Sequence, residues 1–341
     1  MKLITFAVPS YNSQDYLDKC VNSLLAGGDE VEIIIVDDGS TDNTGKIADD
    51  YQNKYPGIVR AVHKENGGHG SGVNKGLECA AGLYYKVVDS DDWLDGEAYK
   101  KLLDTIRDHV SQGIEADLYI VNFVYEHVND NTSYVSNYVK NFPQNRFFGW
   151  EEIKPLKLWK MLLMHSLVYK TEKLRESGIV MPEHTFYVDN YFAYQPLAYM
   201  HKLYYLNVDL YRYYIGRSDQ SVNIENVVKR YADQIRCMRY MLAAYSYEEL
   251  EAMCRPLKKL MYHILHVIMC NTYFFTTAKD SPERRADFKV MWDELKSRDE
   301  KLYRRIKRMP AFFFLDMLSW KGKGRITTAS YKFLCRHVKL G

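Results

Sequence analysis

Cysteine is scarce in this chain of 341 residues, which has six scattered cysteines and no Cys-x-x-Cys pair. This scarcity argues against a disulfide-built fold and against a zinc site, so we expect reduced thiols in a cytoplasmic protein. No apolar run reaches the ~20 residues that a membrane-spanning helix needs. The first residues lack the apolar core of a signal peptide. We therefore expect a soluble protein, or at most one that is peripheral at the cytoplasmic face of a membrane.

The chain also lacks an excess of charge of one sign. Its 46 basic residues nearly balance 44 acidic ones, and a formal net charge of +2 predicts no nucleic-acid partner. A composition that is 47% hydrophobic and 26% charged excludes wholesale disorder. The length suits one elaborated domain or two smaller ones.

Short apolar runs alternate with amphipathic segments through the first part of the chain. The runs predict buried strands at residues 3–8, 31–36, 59–63, 84–88 and 118–124. The segments between them have helical spacing. This alternation predicts an α/β fold with a largely parallel sheet flanked by helices. In such sheets ligands bind beyond the carboxyl ends of the strands.

From about residue 224 onward the pattern becomes helical. Apolar residues are spaced for one helix through residues 227–242 and for a longer one through residues 250–268.

Polar clusters follow three of the predicted strands, in the segments VPSYN, VDDGS and VDSDDW. Carboxylates at adjacent strand ends repel one another unless they share a cation or a hydrogen-bonding ligand. The patch Asp89, Asp91 and Asp92 suits a divalent metal with substrate phosphates. Asp38 is placed to accept a hydrogen bond from a base or ribose, and Tyr11 to lie against a base. Each cluster alone also fits an ordinary turn or helix cap, but the three together favour a nucleotide site.

A glycine-rich loop, NGGHGSGVNKGL at residues 66–77, opens the third predicted helix. Glycines let the backbone approach a ligand closely, and a helix amino terminus favours phosphate. His69 in this loop is either a polar contact to a sugar or a plain loop residue.

The segments VPSYN, VDDGSTDNT, NGGHGSGVNKGL and DSDDW resemble the inverting family 2 glycosyltransferases of the GT-A fold in order and spacing. The resemblance covers about the first hundred residues and continues through residues 159–197. It implies a nucleoside-diphosphate sugar, usually a UDP-sugar, bound by Pro9, Tyr11, Asp38, Asn66, Gly68, Asp89 and Ser90. It also implies that Asp91 ligates Mn²⁺ or Mg²⁺, with Asp89 near the ribose and the metal.

The same resemblance implies a catalytic base in the segment FYVDNYF. Family members usually carry Glu-Asp at this place, where this chain has Val188 and Asp189, so Asp189 is the predicted base. The alternative is that Asp189 caps a helix running to about residue 200. A second departure is Val73, where the family generally has an arginine whose role either passes to Lys64, Lys75 or another group or is absent.

The segment from residue 211 to 221 resembles a loop that closes over the donor diphosphate. Arg212 and Arg217 are predicted diphosphate partners, because a guanidinium binds phosphate in a fork; surface ion pairs are the alternative. Trp159 and His165 either line the acceptor cleft or pack in the core.

The predicted function is inverting transfer of a sugar from the donor to a hydroxyl of a glycan or lipid-linked acceptor. One alternative is a non-catalytic nucleotide-sugar or glycan-binding protein on the same fold, suggested by Val73 and Val188. A nucleotidyltransferase is disfavoured, since that class needs a basic, glycine-rich loop directly after the first strand and the segment VPSYN contains no Lys or Arg. We assign residues 1–223 to the catalytic domain, with 1–100 as its nucleotide-binding part and 101–223 as its acceptor part, and residues 224–341 to a helical C-terminal region.

The tail combines an apolar segment at residues 311–320 with a basic one that follows it. This composition predicts peripheral membrane contact on anionic lipid. The alternative is that the apolar residues pack on the catalytic domain.

Overall fold

Residues 1–127, 131–158, 160–215 and 224–338 are described by a computed structural model. The chain divides into two compact units. The first contains residues 1–154, 162–184 and 196–215, and the second contains residues 155–161, 185–195 and the helices from residue 224 onward. Two short segments of the predicted catalytic domain thus group with the C-terminal helices. The functional division of the chain stays a prediction.

All the strands among the described residues lie in the first unit and form one sheet. Along the chain they are β1 Ile4–Ser10, β2 Val31–Asp37, β3 Val59–His63, β4 Tyr84–Val87, β5 Trp93–Leu94, β6 Leu118–His127, β7 Thr132–Ser136, β8 Phe147–Phe148, β9 Leu167–Lys170 and β10 Leu203–Ile215. The order across the sheet is β3-β2-β1-β4-β9-β6-β10-β5, with β7 beside β6 and β8 beside β10.

The sheet is mixed rather than largely parallel. Strands β3, β2, β1 and β4 are parallel, as the alternating pattern predicts. Strand β9 then pairs antiparallel with both β4 and β6, while β10 is parallel to β6. The expectation failed here because β9 follows irregular chain and not a crossover helix, and only a crossover forces a parallel neighbour. The α/β class with helices flanking the sheet is confirmed.

The first four helices of the first unit lie in the segments between strands that have helical spacing. The helices of this unit are α1 Leu17–Leu25, α2 Thr44–Lys54, α3 His69–Cys79, α4 Gly96–Ser111 and α5 Thr171–Glu176. The second unit contains α6 Asp189–Phe192, α7 Ile224–Lys229, α8 Tyr231–Ala243, α9 Tyr247–Ala252, α10 Arg255–Thr277, α11 Pro282–Arg298, α12 Glu300–Lys307, α13 Pro310–Asp316 and α14 Trp320–Val338. Within these described residues no helix is both long and apolar enough to cross a membrane.

Two predicted long helices are each divided in the structure. The one expected through residues 250–268 breaks at Met253 and Cys254, which have extended backbone. Pro256 explains this break, since a continuous helix would lose a hydrogen bond there and its ring would clash with the preceding turn. In the structure Pro256 lies in the first turn of α10, where proline is tolerated. The break at Arg230 between α7 and α8 has no evident cause in the sequence.

Helix α3 lies unusually close to β1 because glycines face the strand. A Cβ on Gly76 would lie 2.5 Å from the Ala7 Cβ, and one on Gly72 would lie 2.9 Å from the Pro9 Cβ. Any larger residue at these positions would push the helix away from the sheet. This packing fixes the amino terminus of α3 beside the carboxyl end of β1.

Candidate active site

The carboxyl ends of β1, β2 and β4 meet at one edge of the sheet, since these strands are parallel neighbours. Side-chain bonds connect the loops that follow them. Asn12, which has a φ of +48°, accepts a hydrogen bond from the Thr41 amide at 2.8 Å. The Ser13 and Ser90 hydroxyls are 2.7 Å apart. The three polar clusters found in the sequence therefore form one surface.

Asp38 organises the glycine-rich loop. Its carboxylate accepts hydrogen bonds from the Gly67 amide at 2.9 Å and the Gly68 amide at 2.7 Å, and pairs with Lys64 at 2.7 Å. Its carbonyl oxygen accepts from the Asn66 side chain at 3.0 Å. With Asp38 only 3% exposed, a base or ribose bound there would share a carboxylate that already holds the loop.

Three other residues predicted to contact the donor differ in exposure and backbone conformation. Pro9 is buried within β1 and packs against α3. Tyr11 is 51% exposed, so its ring is available to stack on a base. Gly68 has a φ of +81°, a left-handed conformation that glycine adopts without strain.

The acidic cluster after β4 has a specific set of partners. Asp89 lies 2.8 Å from the His69 Nε2, at the first residue of α3. The Asp89 amide donates to the Tyr211 hydroxyl at 3.1 Å, and that hydroxyl donates to Asp92 at 2.6 Å. Asp92 also accepts from the Tyr214 amide at 2.8 Å. Residues of strand β10 thus hold Asp89 and Asp92 in place through hydrogen bonds.

The pKa values of two carboxylates in the cluster are shifted in opposite directions. Burial raises the pKa of Asp92, and the neighbouring charges of Asp91 and Asp89 raise it further. Burial would also raise the pKa of Asp89, but the charge and hydrogen bond of His69, together with the charges of His165 and Lys86, outweigh burial and lower that pKa. Crowded carboxylates of this kind are stabilised by a shared cation.

The residues present fit a divalent cation. Ligand atoms of Asp89, Asp92 and His165 all lie within 4.8 Å of one another. Carboxylate oxygens are the ligands of Mg²⁺, and an imidazole nitrogen beside them suits Mn²⁺ as well. Asp91, the ligand implied by the resemblance, is adjacent in sequence but is not a member of this group of three. The assignment of the cation to Asp91 and Asp89 stays a prediction.

The sequence predicted for His165 either a place in the acceptor cleft or one in the core, and it gave no prediction for Lys86. Both are buried at this edge, and the Lys86 Nζ donates to the His165 carbonyl oxygen at 2.7 Å. Burial lowers the pKa of Lys86 to about 7 and that of His165 to about 4. A lysine inside the apolar run YYKVV was the available signal for Lys86. His165 offered none, because its neighbours come from distant parts of the chain.

Arg212 pairs with two carboxylates of the protein, Glu126 at 2.9 Å and Asp95 at 2.7 Å. This matches the ion-pair alternative, and its predicted contact with a diphosphate would require the guanidinium to share these partners. Arg217 and Trp159 lie outside the described residues.

Asp189 belongs to the second unit, where it is the first residue of the four-residue helix α6. Val188 immediately before it is buried, so the position usually held by glutamate lies in the core of that unit. Tyr187 has a φ of +66°, which is rare for a bulky residue and often marks a functional site. Helix α6 ends at Phe192, short of the helix to residue 200 that the capping alternative requires.

The position of the missing arginine is also buried. Val73 is in the core, and its carbonyl oxygen accepts from the Tyr85 hydroxyl at 2.8 Å. Of the two lysines considered as substitutes, Lys64 pairs with Asp38 and Lys75 with Glu78. His69 is thus the basic side chain of the glycine-rich loop that contacts the acidic cluster.

Known proteins are similar to this chain in sequence or in fold. The putative glycosyltransferase EpsH of Bacillus subtilis is 27% identical over 245 residues, which cover 68% of this chain and 64% of that protein. The chain therefore spans less than two thirds of this relative's length. The structure of Staphylococcus aureus TarS 1–349 in complex with UDP-GlcNAc has a TM-score of 0.65 at 20% identity, over 97% of this chain and 92% of that one.

A second solved structure, the mannosyltransferase PcManGT from Pyrobaculum calidifontis in complex with GDP-Man and Mn²⁺, has a TM-score of 0.50 at 15% identity. It covers 91% of this chain and 84% of that one. At these identities the two structures show a shared fold. Residues 5–161, which contain β1 to β8 and the acidic cluster, match the sequence profile of Glycosyl transferase family 2. Residues 5–161 of this chain therefore form a Glycosyl transferase family 2 domain.

Proposed function

We propose that this protein transfers a sugar, with inversion, from a nucleoside-diphosphate donor to a hydroxyl of a glycan or lipid-linked acceptor. The observation that carries the proposal is the single polar edge formed by the loop that Asp38 organises and the acidic cluster of Asp89, Asp91 and Asp92. A UDP-sugar is the favoured donor, because the related fold of TarS binds UDP-GlcNAc.

In the proposed reaction Asp189 accepts the proton of the acceptor hydroxyl while that oxygen attacks the anomeric carbon. The bond from this carbon to the diphosphate oxygen breaks, and the nucleoside diphosphate leaves with the bonding electrons. A correctly placed general base is typically worth about 10²–10⁴-fold in rate. Tyr11 stacks on the nucleotide base of the donor, and the glycine-rich loop and the α3 amino terminus orient its phosphates.

A bound Mn²⁺ or Mg²⁺, held by Asp89 and Asp91, would neutralise the charge that develops on the leaving diphosphate. Manganese in the related fold of PcManGT supports this choice of cation. We propose a cytoplasmic location, since the described cysteines of the chain are unpaired, as expected in a reducing compartment.

A lipid-linked acceptor would be reached through the tail. In α13 Phe312 and Leu315 are buried, whereas Phe313 and Phe314 are 62% and 56% exposed and Met317, just beyond the helix, is 73% exposed. One face of α13 therefore packs within the C-terminal helices, with Phe312 against Tyr273 of α10, and the other face is exposed. Exposed apolar groups next to the exposed Lys321 and Arg325 suit a peripheral contact with anionic lipid.

The proposal is tested by incubating the purified chain with UDP-, GDP- and dTDP-sugars in the presence of Mn²⁺ or Mg²⁺. We expect slow release of one nucleoside diphosphate, together with a raised unfolding temperature for the same donor. Stabilisation by a donor without any release would favour the non-catalytic binding protein instead. If no donor produces stabilisation or nucleotide release, both functions are refuted.

A further inference from the structure

His165 has two buried ring nitrogens that no described residue satisfies. The residue is 4% exposed, and neither Nδ1 nor Nε2 has a hydrogen-bond partner among the described residues. An unsatisfied buried polar group costs about 1–3 kcal/mol. Native structures seldom leave such groups unexplained, and an ion or a water molecule is a common explanation.

Surrounding side chains fix the position of this ring. It lies between Tyr211 and Tyr213, with ring centroids 4.6 Å and 4.4 Å away, and Phe123 packs at 5.6 Å. The backbone of His165 is held as well, since its carbonyl oxygen accepts a hydrogen bond from Lys86. The imidazole is therefore preorganised without a polar contact of its own, a condition that favours a ligand role.

The ring also faces the acidic cluster. One of its nitrogens and one carboxylate oxygen each from Asp89 and Asp92 lie within 4.8 Å of one another. Two ligand atoms about 2.0–2.2 Å from one ion are at most about 4.4 Å apart, so these three atoms need only small shifts to share an ion, and a set of two oxygens and one nitrogen suits Mn²⁺. Lys86 and a protonated His69 are opposing cations nearby, but three carboxylates, at positions 89, 91 and 92, outnumber them.

We propose that His165 is a nitrogen ligand of the divalent cation, binding it from the protein interior beside Asp89 and Asp92. The inference depends on the proposed function only in that this cation is the one used in transfer. It adds to the site an imidazole that is 73 residues beyond Asp92, the last carboxylate of the acidic segment, and that no sequence motif indicates.

Pulsed electron paramagnetic resonance on the full chain with Mn²⁺, with and without UDP, tests the proposal. The Mn²⁺ signal should show nitrogen modulation from an imidazole. The modulation should disappear in His165→Phe, which keeps an aromatic ring among its neighbours but has no nitrogen. Mn²⁺ binding by that variant should weaken by at least the roughly 10- to 100-fold that the loss of a supporting group costs at other metal sites.

His69→Gln is the matched control, since His69 is the other imidazole next to Asp89. This variant should retain the nitrogen modulation, as should His201→Gln at an exposed position. A second variant, His165→Gln, and unfolding temperatures for each protein separate loss of the ligand from loss of the fold.

Three results would overturn the proposal: Mn²⁺ binding without nitrogen modulation, modulation that vanishes in His69→Gln but persists in His165→Phe, or no Mn²⁺ binding at all. None of these refutes the transferase itself, which is judged by nucleotide release from the donor.

Discussion

Asp91 tests the metal at the scale of a single residue. Replacing it by asparagine removes the charge but keeps the shape, so activity should fall by at least about tenfold while the unfolding temperature stays unchanged. Chelation of metal by EDTA should mimic this loss in the unmodified protein. Asp50→Asn, an exposed carboxylate on α2, is the control. Full activity of Asp91→Asn, or of the EDTA-treated protein, would contradict the metal assignment.

Asp189 tests the base in the same way. Turnover of Asp189→Asn should fall by about 10²–10⁴-fold because the amide cannot accept the proton, while donor affinity changes little. Steady-state kinetics with varied donor measure both quantities. Asp293→Asn, an exposed carboxylate of the same compact unit, should leave them unchanged. If donor affinity falls with turnover unchanged, Asp189 belongs to the nucleotide site or to the structure.

Asp38 separates a loop-holding role from direct donor contact. Asp38→Ala leaves the amides of Gly67 and Gly68 and the ammonium of Lys64 without their acceptor, so the free energy of unfolding should drop by about 1–3 kcal/mol. Urea denaturation measures this change, and calorimetric titration with UDP measures the accompanying loss of affinity. Affinity lost at unchanged stability would instead indicate that Asp38 acts through the base or ribose alone.

At the scale of elements, the close packing of α3 on β1 depends on Gly76. Gly76→Ala should destabilise the protein by about 1–3 kcal/mol, although alanine favours helix, because its methyl group would overlap Ala7 and the Tyr85 hydroxyl. Gly96→Ala at the start of α4 is the matched control, since no atom beyond the adjoining residues and backbone of its own helix lies within 4 Å of the added Cβ. That variant should be neutral or stabilised by about 0.4–1 kcal/mol. Equal unfolding midpoints for both variants would disprove the packing argument.

At the scale of the whole molecule, the tail decides whether the protein meets a membrane. The chain should sediment with anionic vesicles at low salt and be released as salt screens its lysines and arginines. Replacing Phe313, Phe314 and Met317 by serine should abolish sedimentation without unfolding, because these side chains are exposed. Truncation before α13 would be a poor test, since Phe312 and Leu315 are buried.

Serine at Leu158 and Val290, two other exposed apolar positions, controls for a general loss of hydrophobic surface. Undiminished vesicle binding by the variant with three serines would show that these side chains do not contact the membrane.

The sequence by itself determined the first four strands, the helices between them and the three polar clusters at their ends. Local information was sufficient here, because hydrophobic periodicity and turn chemistry depend on residues a few positions apart. The family resemblance carried by the same clusters is confirmed. Pro256 marks a helix break that the sequence also contained, which periodicity alone concealed.

Only the tertiary structure decided which groups meet across the sheet. The antiparallel insertion of β9 brings His165 beside Asp89, and the carboxylate of Asp38 binds amides 29 and 30 residues away. Burial of Lys86 and the unsatisfied nitrogens of His165 follow from that strand order. Such contacts depend on strand order and register, which are settled by packing over the whole unit, so no local pattern could have indicated them, although the lysine inside the apolar run YYKVV signalled the burial of Lys86.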